Sequence, residues 1–142
     1  MASNVTRATV TENGESPYAV TIRVSGHVIK GDEPVSFGGG NTGPGPYDLL
    51  ASALGSCTAI TIRLYAEQHN WPLEEVEVVV EFHKEELQGH PYPVDIFEKR
   101  IILHGEDLSE EQRQKLLEIS AKSPVHRSLE NAPILRTAPS TR

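Results

Sequence analysis

Apolar and polar residues alternate along Val20-Thr21-Ile22-Arg23-Val24, the period of a half-buried strand. Asn13-Gly14 just before it is a favoured tight-turn pair, so residues from about 4 to 37 are predicted to form short antiparallel strands. Residues 37–46 hold five glycines and two prolines in ten positions, which marks a loop. Beyond the loop the period changes. Leu50, Leu54, Cys57, Ile60 or Thr61, and Leu64 recur at three- and four-residue steps, the spacing of one helix face. Pro46 suits the first turn of that helix and Asn70, before Trp71-Pro72, its end. The helix is predicted to run ~22 residues, about 33 Å at 1.5 Å per residue, and to be the central element. Gly55 inside it costs ~1 kcal/mol relative to alanine and predicts a close neighbour. Residues 76–83 and 94–104 follow as two long strands, joined by a hairpin turn at Gln88-Gly89-His90-Pro91. A second helix opens at Ser109, its predicted N-cap, with Glu110 and Glu111 where the helix dipole favours acids. Leu116, Leu117, Ile119 and Ala121 supply its apolar face, Pro124 ends or kinks it, and Pro133-Ile134-Leu135 is predicted as a last short strand. The order of elements is that of an α+β fold.

The chain has 142 residues, which predicts a single domain over residues 1–142. A chain of this length buries roughly 68–70% of its unfolded surface, so its core needs no disulfide or metal staple. The formal charge of −7 argues against nucleic acid or an anionic membrane as the main partner, because phosphate binding needs clustered positive charge. No stretch is read as approaching the ~18 apolar residues of a membrane span, and residues 1–11 lack an apolar run of signal-peptide length. A cytoplasmic protein is the expectation. One cysteine excludes an internal disulfide and any multi-cysteine metal site. The six histidines stand at no metal-ligand spacing from one another or from Cys57, so no metal is expected.

Cys57 is the first chemical candidate. On an apolar stripe it reads either as a small buried hydrophobe or, with Gly55 and Ser56 leaving the helix surface bare beside it, as a reactive thiol. Gly38, Gly40 and Gly43 match a dinucleotide-binding spacing. However, Pro44 and Pro46 remove N–H donors that a pyrophosphate would need and no βαβ unit encloses the loop, so no cofactor is expected. Ser123 and His126 offer a nucleophile and a base three residues apart, without an elbow or oxyanion motif around them.

Asp32-Glu33-Pro34 with Gly38-Gly39, then Gly-Pro-Gly-Pro-Tyr-Asp-Leu-Leu-Ala-Ser-Ala-Leu-Gly-Ser-Cys-Thr over residues 43–58, closely resemble the OsmC/Ohr family. Tyr65-Ala66-Glu67, Trp71-Pro72-Leu73 and residues 123–129 continue the resemblance in order, over nearly the whole chain. The resemblance implies antiparallel sheets around a long central helix, an intertwined homodimer with two sites at the subunit interface, and thiol-dependent reduction of organic hydroperoxides. It assigns Cys57 as the thiol that attacks the peroxide. The family's second, resolving cysteine is replaced by Ser123, so turnover would need an external thiol reductant, as in a one-cysteine peroxidase of peroxiredoxin type. Where these peroxidases carry a glutamate ten residues before the cysteine, this chain has Tyr47, with Asp48 beside it. The arginine they place in an early hairpin turn has no counterpart in residues 12–16, and Arg23 or Arg63 would have to replace it. Those departures leave an alternative, a non-redox relative that binds a small apolar ligand in the interface pocket. A hydrolase built on Ser123 and His126 is a third reading. Independently of the resemblance, Leu49, Leu50, Ala53, Leu54, Ile60, Ile62, Leu64 and Tyr65 make the long helix apolar on most sides, which predicts a second chain against it.

Overall fold

The computed structural model describes residues 5–140. They form two compact units, one ending at Leu50 and the other starting at Ala51, inside the long helix that belongs to both. The first unit contains β1 (Ala8–Glu12), β2 (Val20–Val24) and β3 (His27–Gly31), an antiparallel sheet in the order β1-β2-β3. Its register sets Ile22 opposite Val10 on one side and Ile29 on the other, so one sheet face is apolar while Thr9, Thr11, Thr21, Arg23 and Lys30 share the other. The tight hairpin turn lies at Ser25-Gly26, both with positive φ (50° and 80°), as a two-residue connection requires. The sequence expectation placed it at Asn13-Gly14. There Asn13 instead folds its side chain onto its own loop, accepting from the Glu15 N–H at 2.9 Å and donating to Thr21 Oγ1 at 3.2 Å.

A buried carboxylate organises the glycine-rich loop. Asp32 is 3% exposed and accepts from Ser16 Oγ, the N–H groups of Glu33, Gly40 and Thr42, and Thr42 Oγ1. Burial opposes ionisation of Asp32, but these donors outweigh it and hold the carboxyl far below the usual carboxylate range. A side chain at Gly39 would overlap the Glu33 carbonyl, so this glycine serves close chain packing. The loop delivers the chain to α1 (Pro46–Gln68), where Asp48 Oδ2 accepts from the Gly45 N–H at 2.8 Å.

In the second unit, α1 buries Leu54, Thr58, Ile62 and Ala66, a strict four-residue stripe. The periodicity pointed to a neighbouring stripe, yet Ile60 and Leu64 are 63% and 54% exposed. A helix apolar on most sides offers several equivalent stripes, and only packing chooses among them. The chosen stripe meets β4 (Glu75–Glu85) and β5 (Val94–His104), an antiparallel hairpin in which Val80 pairs with Lys99 and Val76 with Leu103. Val76, Ile101 and Leu103 pack on the cluster of Ile62, Ala66, Leu73, Leu108 and Leu116. A Cβ on Gly55 would stand 3.3 Å from Val80, the close neighbour that glycine predicted. α2 (Glu110–Ser120) starts with Ser109 and Gln112 capping each other reciprocally. Leu117, expected on its apolar face, is 41% exposed, while Leu116 is fully buried. Pro124 does not kink this helix. It is the first residue of α3 (Pro124–Glu130), where proline is favoured, and Ser123 occupies the cap position. Residues 133–135 form no strand, and Ile134 and Leu135 are exposed, for no neighbouring edge pairs with them.

The fold is α+β, with two antiparallel sheets and three α-helices among the described residues. By length and composition alone α1 could cross a membrane, contrary to the expectation that no stretch would qualify. Leucine, isoleucine and alanine raise its mean hydropathy, while serine, glycine, threonine and Arg63 interrupt the apolar run, and its buried stripe belongs to the protein core. Replacing Ile62 by alanine should lower unfolding free energy by about 2–5 kcal/mol, read by urea denaturation, because the side chain is wholly enclosed.

Candidate active site

Cys57 lies in the middle of α1, half-buried. The next residue, Thr58, is fully buried and donates its hydroxyl proton to the Leu54 carbonyl at 2.8 Å. Its oxygen then accepts from Lys99 Nζ at 3.1 Å, and the same ammonium donates to the Ser120 carbonyl at 2.8 Å. Lys99 therefore ties α1, β5 and the end of α2 together, one residue along the helix from the thiol. Burial pushes the Lys99 ammonium down from its ordinary range, while negative charge on Cys57 and Glu130 pulls it back up. A cavity of about 240 Å³ opens here, with Leu54, Phe97 and Leu129 as apolar wall and Lys99, His126 and Glu130 as polar rim. His126 Nε2 faces Glu130 at 3.3 Å.

Ser123 and His126 come from the same short helix, yet they are not joined. Ser123 is fully buried and among the described residues its Oγ has no hydrogen-bond partner, and neither has His126 Nδ1. The serine hydroxyl thus has no base to activate it, which leaves the hydrolase reading without its central contact. Tyr47 and Asp48 lie in the first turn of α1. Nine and ten residues of helix separate them from Cys57, a rise of roughly 14–15 Å, so within one chain they do not meet the thiol. Arg63, a candidate replacement for the family's arginine, spends its guanidinium on the Leu73 and Glu74 carbonyls. Arg23 stands on β2, in the other unit.

Lys99 escaped the sequence reading. Its signal was positional: in β5 the alternation sets Phe97, Lys99, Ile101 and Leu103 in one row, and that row faces α1. A lysine amid inward apolar positions needs a partner. Also unread was the group of His83, Glu85 and Glu98, whose donor atoms lie within 4.8 Å of one another on the other face of the hairpin. A hydrogen bond to Glu85 raises the His83 pKa above 6.5, against the opposing effect of burial, and Glu98 and Glu81 add to the rise. The negative charge of the two carboxylates thus favours the protonated ring.

The sequence profile of the OsmC-like protein family matches residues 38–138. The chain belongs to that family. No curated protein sequence matches it. Solved structures agree on the fold. An OsmC-like protein from Mycoplasma pneumoniae is 19% identical, with 92% of this chain and 91% of that one covered and a TM-score of 0.74. An organic hydroperoxide resistance protein OsmC from Legionella pneumophila is 17% identical, over 91% of each chain, at 0.64. The organic hydroperoxide resistance protein OhrB of Bacillus subtilis is 21% identical, over 89% of this chain and 92% of that one, at 0.57.

Because the buried Ser123 hydroxyl is unpaired, Ser123→Ala should leave the fold intact and raise stability by about 1 kcal/mol, measured by urea denaturation. A loss of stability would show that the hydroxyl has a partner in solution.

Proposed function

We propose that this protein reduces organic hydroperoxides through Cys57 and is recycled by an external thiol. The observation that carries the reading is the single cysteine of the chain, half-buried in α1 within the motif that resembles the family's, one residue before the Thr58 that Lys99 contacts. The names of the Legionella and Bacillus proteins support the substrate class. In the reaction the Cys57 thiolate attacks the terminal oxygen of ROOH. An S–O bond forms, the O–O bond breaks, and the alkoxide leaves and takes up a proton as ROH. Sulfur loses two electrons to become a sulfenic acid as the peroxide is reduced. Ser123 cannot resolve that acid. A small thiol therefore condenses with it, releasing water and leaving a mixed disulfide, and a second thiol frees Cys57.

The same reading takes the working unit as a homodimer. Leu50, Ile60 and Leu64 leave a second apolar stripe on α1 uncovered, and Val10 and Ile29 are exposed on the apolar face of the first sheet. Surfaces of this kind mark contact sites, and a second copy of the chain supplies a matching one. Tyr47 and Asp48, too far along their own helix, would reach a thiol only in such a partner. A second reading, binding of a small apolar ligand without redox chemistry, is favoured by the Leu54–Phe97–Leu129 wall of the cavity.

Stoichiometric cumene hydroperoxide with a dimedone-type trap should add the trap to Cys57 within seconds, read by mass, and Cys57→Ser should abolish the adduct. A Cys57 untouched after an hour in folded protein would overturn the peroxidase reading and leave the ligand-binding one. Sedimentation at micromolar concentration should give the mass of two chains, and the 15.6 kDa of one chain would overturn the dimer.

A further inference from the structure

Burial in apolar surroundings keeps a thiol protonated and inert, and reactive cysteines sit beside fixed positive charge instead. Two arginines of the second unit are spent elsewhere: Arg63 on the Leu73 and Glu74 carbonyls, and Arg113 on those of Leu103 and Gly105. Lys99 reaches the residue next to Cys57. Its ammonium is held from two sides, by Thr58 Oγ1 on the helix of the thiol and by the Ser120 carbonyl. The polarity of this contact is fixed, since the Thr58 hydroxyl proton is already given to the Leu54 carbonyl and only its oxygen is free to accept. Thr58 is fully buried, so the hydroxyl has no other site to turn to. Glu130 is the opposing charge. It lines the same cavity as Lys99, and its carboxylate faces His126.

We propose that Lys99 is the positioning residue that keeps Cys57 in its reactive thiolate form, with Glu130 as the counter-charge that limits this effect. The contact with Thr58 sets the ammonium one residue along α1 from the thiol, and the Ser120 carbonyl holds it there. The role is filled from β5, whereas the family resemblance places an arginine in an early hairpin turn. The proposal rests on reading Cys57 as the reactive group, and its test needs no peroxide.

The chain has one cysteine, so iodoacetamide alkylation followed by mass reports Cys57 alone. The full-length protein, Lys99→Met, Lys99→Arg and Glu130→Gln would be compared across pH 5–10, with thermal melts to establish folding. Removing the cation should slow alkylation at pH 7 about tenfold and move the pH–rate profile to higher pH. Lys99→Arg should stay within about threefold of the parent protein, since the charge is kept. Glu130→Gln should act in the opposite direction, about two- to threefold faster, a sign that a merely structural lysine does not predict. Superimposable profiles for folded Lys99→Met and the parent would overturn the proposal. If Lys99→Met fails to fold, Glu130→Gln decides, because its carboxylate is 62% exposed and is not part of the core: an unchanged or slower rate overturns the proposal. Lys99-dependent alkylation with no oxidation by hydroperoxide would sink the peroxidase reading alone. Rapid oxidation in both proteins with identical alkylation profiles would sink this inference alone.

Discussion

The second unit is organised by the four-residue stripe of Leu54, Thr58, Ile62 and Ala66, through which α1 packs on the β4–β5 hairpin. Gly55 allows the approach, because a side chain there would press on Val80. The row on β5 that receives the helix is apolar at Ile101 and Leu103 and charged at Lys99. The same packing that closes the core therefore carries an ammonium to the middle of α1. Its two hydrogen bonds offset part of the cost of taking it out of water, and the remainder makes a nearby negative charge welcome.

That arrangement gives the site its chemistry. The reactive candidate is one residue from a fully buried threonine, and the threonine orients the cation. α2 contributes a carbonyl from its last residue, Ser120, and α3 adds His126 and Glu130 to the cavity rim. Ser123, where the family resemblance places a second cysteine, is buried and has no hydrogen bond among the described residues. In the first unit the equivalent organising group is Asp32, whose five hydrogen bonds fold the glycine-rich loop that leads into α1.

Much of this was legible in the residues. The strand at Val20–Val24, the long helix from Pro46, the paired strands expected over 76–83 and 94–104, and the cap at Ser109 follow from local signals: alternation, proline and glycine placement, and capping chemistry. The motif around Cys57 identified the family, and the profile over residues 38–138 agrees. Local signals misplaced features where two positions offered the same chemistry. Asn13-Gly14 was expected as a tight turn, but the chain reverses there through the longer connection of residues 13–19 between β1 and β2, and the two-residue turn is Ser25-Gly26 between β2 and β3. Pro124 serves equally as a helix end or a helix start.

What the sequence by itself determined is the set of elements, the family and the identity of the single thiol, because each depends on residues that are neighbours in the chain. Which stripe of α1 is buried, and which cation meets Thr58 beside Cys57 in the chain, was decided only by tertiary structure. An evenly apolar helix has no preferred face until a hairpin packs on it. Lys99 lies 41 residues from Thr58 and meets it only through the register of β5 against that helix. A contact of that separation leaves no local pattern, since its partners are set by packing rather than by spacing along the chain.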